Sequence, residues 1–456
     1  MSYIWILPPP RQRGFLLITG LLITSGLILL TTGSLVRSQV EWTAASRFLA
    51  QQQALYLAEG RMEQVVAAFA LSPNLAQGTT CPSGVETAGG TTSCTLTPLQ
   101  LYVNGPGGLT TQPVQILVTA TVPNALTPLG RQSLEAVVEV PSTPLFQWAA
   151  YGGAAVTLMS SWFISNGIIV DSYDSSRGPY DPLAPKTLEA RVQVGDATLI
   201  PTIFVGNRSA IWGDALATDL RYITTIGTGR IYGQRLVAPP PAMPAVRTPI
   251  GTPRGGVLTS CPSGSETLDV SAFPYSQITL SSPCDLTIRG QGAVFLDDLS
   301  MPLGSRLTFD GQIEVATGQF GMGANVILQP NASVAVYATG NVYTGAGTQI
   351  NGIGSAGRPK DFALYALGSN FALITNLNGK FHGVVYAPSR TSGVMIPQTW
   401  PRFGDPSNEV FGSVVSGVGM VDLGGSSRVH QDLSLKTLGA PIGPSNPVKL
   451  RSWRTL

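Results

Sequence analysis

Two histidines, a few closely spaced aspartates and four cysteines are the residues through which this sequence could do chemistry. His382 and His430 are its only imidazoles. Asp171 and Asp174 stand three apart in the run Asp171-Ser172-Tyr173-Asp174-Ser175-Ser176-Arg177-Gly178-Pro179-Tyr180. Paired carboxylates serve glycoside hydrolysis as acid and base, and they also hold Ca2+. The competing reading is a turn, because Asp and Ser side chains at this density bond their own backbone. His430 and Asp432 would share one face of a strand and could bond each other directly. A catalytic unit would need a third group, and no nucleophile pattern surrounds either histidine. Asp297 and Asp298 are adjacent, so a strand sends them to opposite sides. Gly227-Thr228-Gly229-Arg230 lacks the further glycine spacing and the helix of a nucleotide loop. The expectation is a binding protein and not an enzyme, with no cofactor beyond a Ca2+ at Asp171/Asp174.

The cysteines fall into two local pairs, and each pair opens with Cys-Pro-Ser-Gly-x-Glu-Thr. Neither has the CxxC spacing of a zinc site. Of three possible connectivities, Cys81–Cys94 and Cys261–Cys284 are expected. Each disulfide would contribute about 3 kcal/mol on chain-entropy grounds and would persist in an oxidising compartment.

These residues need elements to position them, and the composition narrows which. The 456 residues carry 27 Lys+Arg and 25 Asp+Glu, a net charge of +2 and only 11% charged positions. Such a chain supplies no broad phosphate-binding field, so a nucleic-acid partner is not expected. With 43% hydrophobic residues and a mean hydropathy of +0.21, disorder is disfavoured. The 52 Gly and 35 Pro point to a turn-rich β protein.

One stretch departs from that average. Gly14 to Val36 contains no charge and is long enough to cross a hydrocarbon core of about 30 Å. Arg11 and Arg13 before it put the N-terminus in the cytoplasm by the positive-inside rule. The apolar run does not stop at a cleavage site, as a signal peptide would. It becomes an amphipathic helix with Phe48, Leu55, Met62 and Phe69 at intervals of seven, filled by Ala58 and Val65. Residues 15–71 are read as one helix, ended by Pro73. Residues 72–143 alternate apolar and polar at Val114, Ile116, Val118, Ala120 and Val122, then at Leu134, Ala136, Val138 and Val140. This predicts a small sheet with one apolar face for the helix to lie on.

Residues 144–440 show short apolar strands about eight residues apart, with glycines such as Gly290, Gly311 and Gly340 following them. That texture predicts a β-solenoid, or alternatively a sandwich. The Pro-rich stretch 238–254 is expected to run extended across its surface, or to be a linker splitting the region. Trp148, Trp162, Trp212 and Trp400 are core aromatics or a binding platform. Residues 441–456 are read as a C-terminal tail.

The N-terminal pattern resembles a type IV prepilin. A short leader, residues 1–14, ends in Arg13-Gly14, followed by Phe15 and the two-part helix. Ala54-Leu55-Tyr56-Leu57-Ala58-Glu59 resembles a segment of PilX-type minor pilins. The resemblance implies cleavage between Gly14 and Phe15 by a prepilin peptidase. It also implies a single-pass inner-membrane protein whose head lies outside the cytoplasm and, within a pilus, at the cell surface. Thr19 stands where major pilins carry Glu, which fits a minor or tip subunit in pilus assembly or adhesion. Ile4-Trp5-Ile6-Leu7 and Pro8-Pro9-Pro10 depart from a usual leader. Other pilins and a surface or glycan ligand would be the partners. The motif from Asp171 to Tyr180 (with Tyr173, Asp174 and Gly178) resembles a poorly characterised bacterial domain attached to PilX-type N-termini. So do Phe381-His382-Gly383-Val384-Val385-Tyr386-Ala387-Pro388 and Val429-His430-Gln431-Asp432-Leu433-Ser434-Leu435. That domain is similar to right-handed β-solenoids. A tethered carbohydrate-active solenoid and a structural envelope protein are the alternatives.

Overall fold

The computed structural model describes residues 10–71, 81, 89–100, 102–104, 109–122, 129–141, 145–159, 167–195, 203–241, 243–345, 347–352, 357–368, 372–374, 379–389, 393–396, 408–437 and 449–455. The chain is mainly β with one long N-terminal helix, and it divides into two compact units. The first comprises Met1–Pro98, Val114–Val138 and Val448–Leu456.

In that unit the helix α1 runs unbroken from Pro10 to Leu71, about 90 Å at 1.5 Å per residue. It contains a stretch apolar and long enough to span a membrane, with mean hydropathy 1.7. There Leu17, Leu21, Leu22, Ile28, Leu29 and Leu30 are all more than half exposed. The polar side chains within this stretch are satisfied by the helix itself: Thr19 Oγ1 donates to the Phe15 carbonyl at 2.7 Å, and Thr31 to that of Leu27 at 2.9 Å. A hydroxyl bonded to the preceding turn needs no outside partner.

The second half of α1 buries Ala50, Ala54, Ala58, Met62, Val65 and Phe69. The stripe therefore differs from the sevenfold pattern expected. Phe48 is 60% exposed and Leu55 half-buried, because a strict seven-residue repeat drifts around a straight helix by about 20° per heptad. Spacings of four and three follow the contact line instead, and alanine lets the helix come close. A Cβ at Gly130 would meet the Ala50 backbone at 2.4 Å. The sheet pairs Thr91–Pro98 antiparallel with Leu109–Val122, followed by Gly130–Pro141 and Lys449–Thr455. Its buried residues alternate as the sequence indicates, through Val114, Ile116, Val118 and Ala120, and through Leu134, Ala136 and Val138. Lys449–Thr455, read as part of a tail, is a strand of this sheet, and Arg454 makes two bonds to Glu135 at 2.8 and 3.0 Å. Cys81 and Cys94 are joined.

The second unit, Leu99–Pro113 and Glu139–Pro447, is a three-faced solenoid of parallel strands. Each rung lays one strand on each face. Its strands are not all short: Asp285–Met301 and Arg306–Met322 pair through almost their whole 17 residues, turning two corners without leaving the ladder. Glycine makes such corners. At Gly412 φ is +139° and a Cβ would lie 1.9 Å from the Gly383 carbonyl of the rung below, so no side chain fits.

The order of stacking is not the order of the sequence. From Gly256 the rungs climb to Glu409–Ser416 and Met420–Gly424. The next rung is composite: Arg428–Asp432 forms its first face, but Ala150–Gly152 and Ala155–Met159 form the other two. The early segment then continues the stack outward through Ile169–Tyr173, Ala190–Val194 and Ile203–Val205, then Gly213–Ala217 and Arg235–Val237. Core columns cross this junction unbroken. One runs Leu299, Phe320, Val342, Ala372, Val394, Val421, Val156, Ile203, Ile223. Close packing of such columns is what stabilises a solenoid.

The Pro-rich segment returns the chain to the starting end. It passes Gln193, which donates to the Pro239 carbonyl at 3.0 Å. It then passes Tyr386, which donates to that of Pro244 at 2.6 Å, and at Gly251 it presses on the Phe295 ring. It thereby helps to cover an outward column of Tyr337, Tyr365, Tyr386 and Tyr151, all buried with Phe146 and Trp148. Cys261–Cys284 ties neighbouring rungs at the starting end.

Candidate functional site

The sequence motifs converge on the composite rung. On the first face, neighbouring strands place His382 beside Phe411, Phe411 beside His430, and His430 beside Asp171. Residues one position before them, Phe381, Val410, Val429 and Val170, face the core, so alternation sends this column outward. It is nevertheless buried: Asp171 and His430 have no exposed surface and Phe411 has 3%. The cover is the loop after Tyr173. Tyr180 packs on His430 with ring centroids 4.0 Å apart and on Phe411 at 5.5 Å. Tyr173 meets both Tyr180 and Phe411 edge-on.

Asp171 is the hub. Its Oδ1 accepts from His430 Nδ1 at 2.5 Å. Its Oδ2 takes the Tyr180 hydroxyl at 2.9 Å and the Lys186 ammonium at 2.6 Å, and Lys186 also bonds the Tyr180 oxygen. Burial works against the Asp171 carboxylate, but the bonds and charges of His430 and Lys186 outweigh it and hold the group below the usual carboxylate range. Burial, with Asp171 beside it, pushes the Tyr180 hydroxyl up, so this phenol is a donor at any physiological pH. His382 Nδ1–H donates to the Gly357 carbonyl, 3.0 Å away, and burial pushes the imidazole down to about 4. The Nε2 atoms of both histidines and the Tyr173 hydroxyl are buried with no hydrogen-bond partner.

Asp432 does not bond His430, as the two-residue spacing suggested. Its carboxylate takes the backbone N–H and hydroxyl of Ser175 at 3.0 and 2.6 Å, and the same two groups of Ser434 at 3.0 and 2.8 Å. Both side chains find better partners across the junction than along their own strand. Gln431 completes the junction by accepting from the Arg191 N–H and donating to the Gln147 carbonyl.

The Asp171/Asp174 pair is not a carboxylate pair either. Asp174 uses one oxygen on the Ser176 N–H and hydroxyl, and the other on Arg177. All four carboxylate oxygens thus have protein donors. Among the described residues no group of three or more His, Cys, Asp or Glu could hold a metal ion. Above the cluster lies a cleft of about 440 Å³, lined by Tyr173, Asp174, Arg177, Gly178, Tyr180, Lys186 and Glu189, among others.

Gly383 lies beside Gly412 at the corner, while Tyr386 and Pro388 belong to the neighbouring face and its following turn. Trp148 bonds Gln193 at 2.7 Å inside the cover. Trp212 stacks on Tyr232 at 4.0 Å, and Trp162 and Trp400 lie outside the described residues. Lys186 and Phe411 were not singled out from sequence. Lys186 carries no local signal, but Phe411 had one: Lys380-Phe-His-Gly-Val-Val-Tyr-Ala387 aligns residue for residue with Glu409-Val-Phe-Gly-Ser-Val-Val-Ser416.

Comparison with known proteins adds one relation. Residues 269–438, less than half of the chain, match the model of a domain of unknown function, DUF7305. That span holds His430 and Asp432 but not Asp171, Tyr180 or Lys186. No curated protein and no solved structure matches the chain.

Proposed function

We propose that this chain is a pilin-like subunit, minor or at the tip of a type IV pilus or related pseudopilus. Its solenoid head would prime assembly or mediate adhesion. The observation that carries this reading is the division of labour within α1. Its first half exposes leucine and isoleucine on all sides, as only a membrane or a bundle of similar helices would accommodate. Its second half is docked by a narrow alanine stripe on its own sheet. Thr19 supports a minor position, because a hydroxyl satisfied within its own helix demands no charged partner from a neighbour. The inner membrane, a prepilin peptidase acting between Gly14 and Phe15, and other pilins are the partners of this reading. The head would lie outside the cytoplasm. The site chemistry supports binding over turnover: Asp171, the most buried carboxylate of the motif, is committed to His430, Tyr180 and Lys186.

Mechanical shearing tests it. Recovery of the chain with surface fibres is expected, and recovery in the inner membrane alone would favour a structural envelope protein.

A further inference from the structure

Lys186 and Asp171 meet in surroundings that an exposed ion pair does not have. Their Nζ–Oδ2 separation is 2.6 Å, the Asp171 side chain is fully buried and Lys186 keeps 23% exposure. The Tyr180 ring lies 4.6 Å from Nζ and seals the pair against His430 and Phe411. Each carboxylate oxygen holds a further donor, His430 on Oδ1 and Tyr180 on Oδ2. A primary amine is therefore held against a fully buried carboxyl group, with a donor fixed on the opposite oxygen. These are the requirements of an amide condensation.

We propose that Lys186 and Asp171 condense to an intramolecular isopeptide bond, which covalently closes the loop from 171 to 186. The first step moves one proton from Nζ to Oδ2, giving a neutral amine and a neutral acid. The two atoms lie at hydrogen-bond distance, 2.6 Å apart, so the proton has a direct path. The Nζ lone pair then attacks Cγ, the C–N bond forms, and the displaced electron pair settles on Oδ1. There the His430 Nδ1–H stabilises it as an oxyanion-hole donor would. Collapse restores the carbonyl and expels Oδ2 as water, which carries the acid proton and one proton from nitrogen. Ammonium and carboxylate thus give an amide and one water, with no oxidant and no co-reactant. Fixed proximity replaces a bimolecular encounter, which is what makes such a step accessible without an enzyme. The closed loop carries Ser175, whose N–H and hydroxyl bond Asp432 of the other segment. The amide would therefore fasten the cover over the composite rung. Nothing in this inference depends on the pilus reading.

Intact mass and fragment sequencing of the purified full chain in detergent test it. The wild type is expected one water lighter than its disulfide-bonded sequence, with a branched peptide joining residues 171 and 186. Lys186→Arg, which keeps the cation, should recover the full mass. A folded His430→Gln variant should form the bond several-fold more slowly. Full mass in the wild type after prolonged incubation at neutral pH would overturn the proposal. So would a water loss that persists in Lys186→Arg, since that would mark a succinimide.

Discussion

The two units handle their surfaces in opposite ways. The helix-bearing unit leaves a long apolar surface uncovered, from Phe15 through Leu35. The solenoid unit turns even its polar chemistry inward: Asp171, His430 and Asp432 are fully buried, and aromatic rings cover the first two. The first unit is incomplete without an apolar environment, whereas the second closes on itself, its early segment completing the rung that its late segment begins. Function in the first is therefore written as exposure, and in the second as enclosure.

Four perturbations would break or sharpen this contrast. The largest effect is expected from Leu22→Arg with Leu29→Arg, since each cation near a bilayer centre costs about 2.5–3.5 kcal/mol. Membrane association should be lost in fractionation while the two disulfides of the chain still form. Retention in the membrane fraction would mean that the exposed half of α1 is not its anchor.

His430→Ala attacks enclosure instead. It removes one partner of a buried carboxylate together with a packed ring, at about 3–5 kcal/mol. Chemical denaturation should show the solenoid destabilised and the helix α1 unaffected. Acid acts on the same face. The His382 imidazole is held to about 4, from 6.5, so the unfolded chain binds more protons between those values. Stability should fall as pH drops from 6.5 to 4, by up to about 3 kcal/mol, and His382→Gln should flatten that slope in thermal melts.

Gly130→Val tests the close approach of α1 to its sheet, where a Cβ meets backbone at 2.4 Å. Overpacking of this kind costs about 1–3 kcal/mol. Hydrogen exchange should quicken along Ala50–Phe69 and stay unchanged in the solenoid.

Much of this was legible in the residues. The charge-free run gave the exposed half of α1, the period-two alternation from Val114 to Val138 gave the sheet, and the proline run 238–254 gave the strap. Both cysteine pairs are local, and local pairs can be read. The composite rung could not be read. Period two says which residues face inward but not which strand lies next, and parallel stacking has no tight turn to name the partner. Asp171 and His430 are 259 residues apart, and nothing near Lys186 announces that it completes their cluster. The helix stripe was misplaced for a smaller reason. Spacing by seven ignores the drift of a straight helix, so Phe48 was expected inside where Ala50 lies.

If the exposed half of α1 serves a pilin-like assembly, as proposed, the N-terminal peptide of the chain will report it. Mass spectrometry of material sheared from the cell surface should find the chain beginning at Phe15. A chain that begins at Met1 and is confined to the inner membrane would contradict the account.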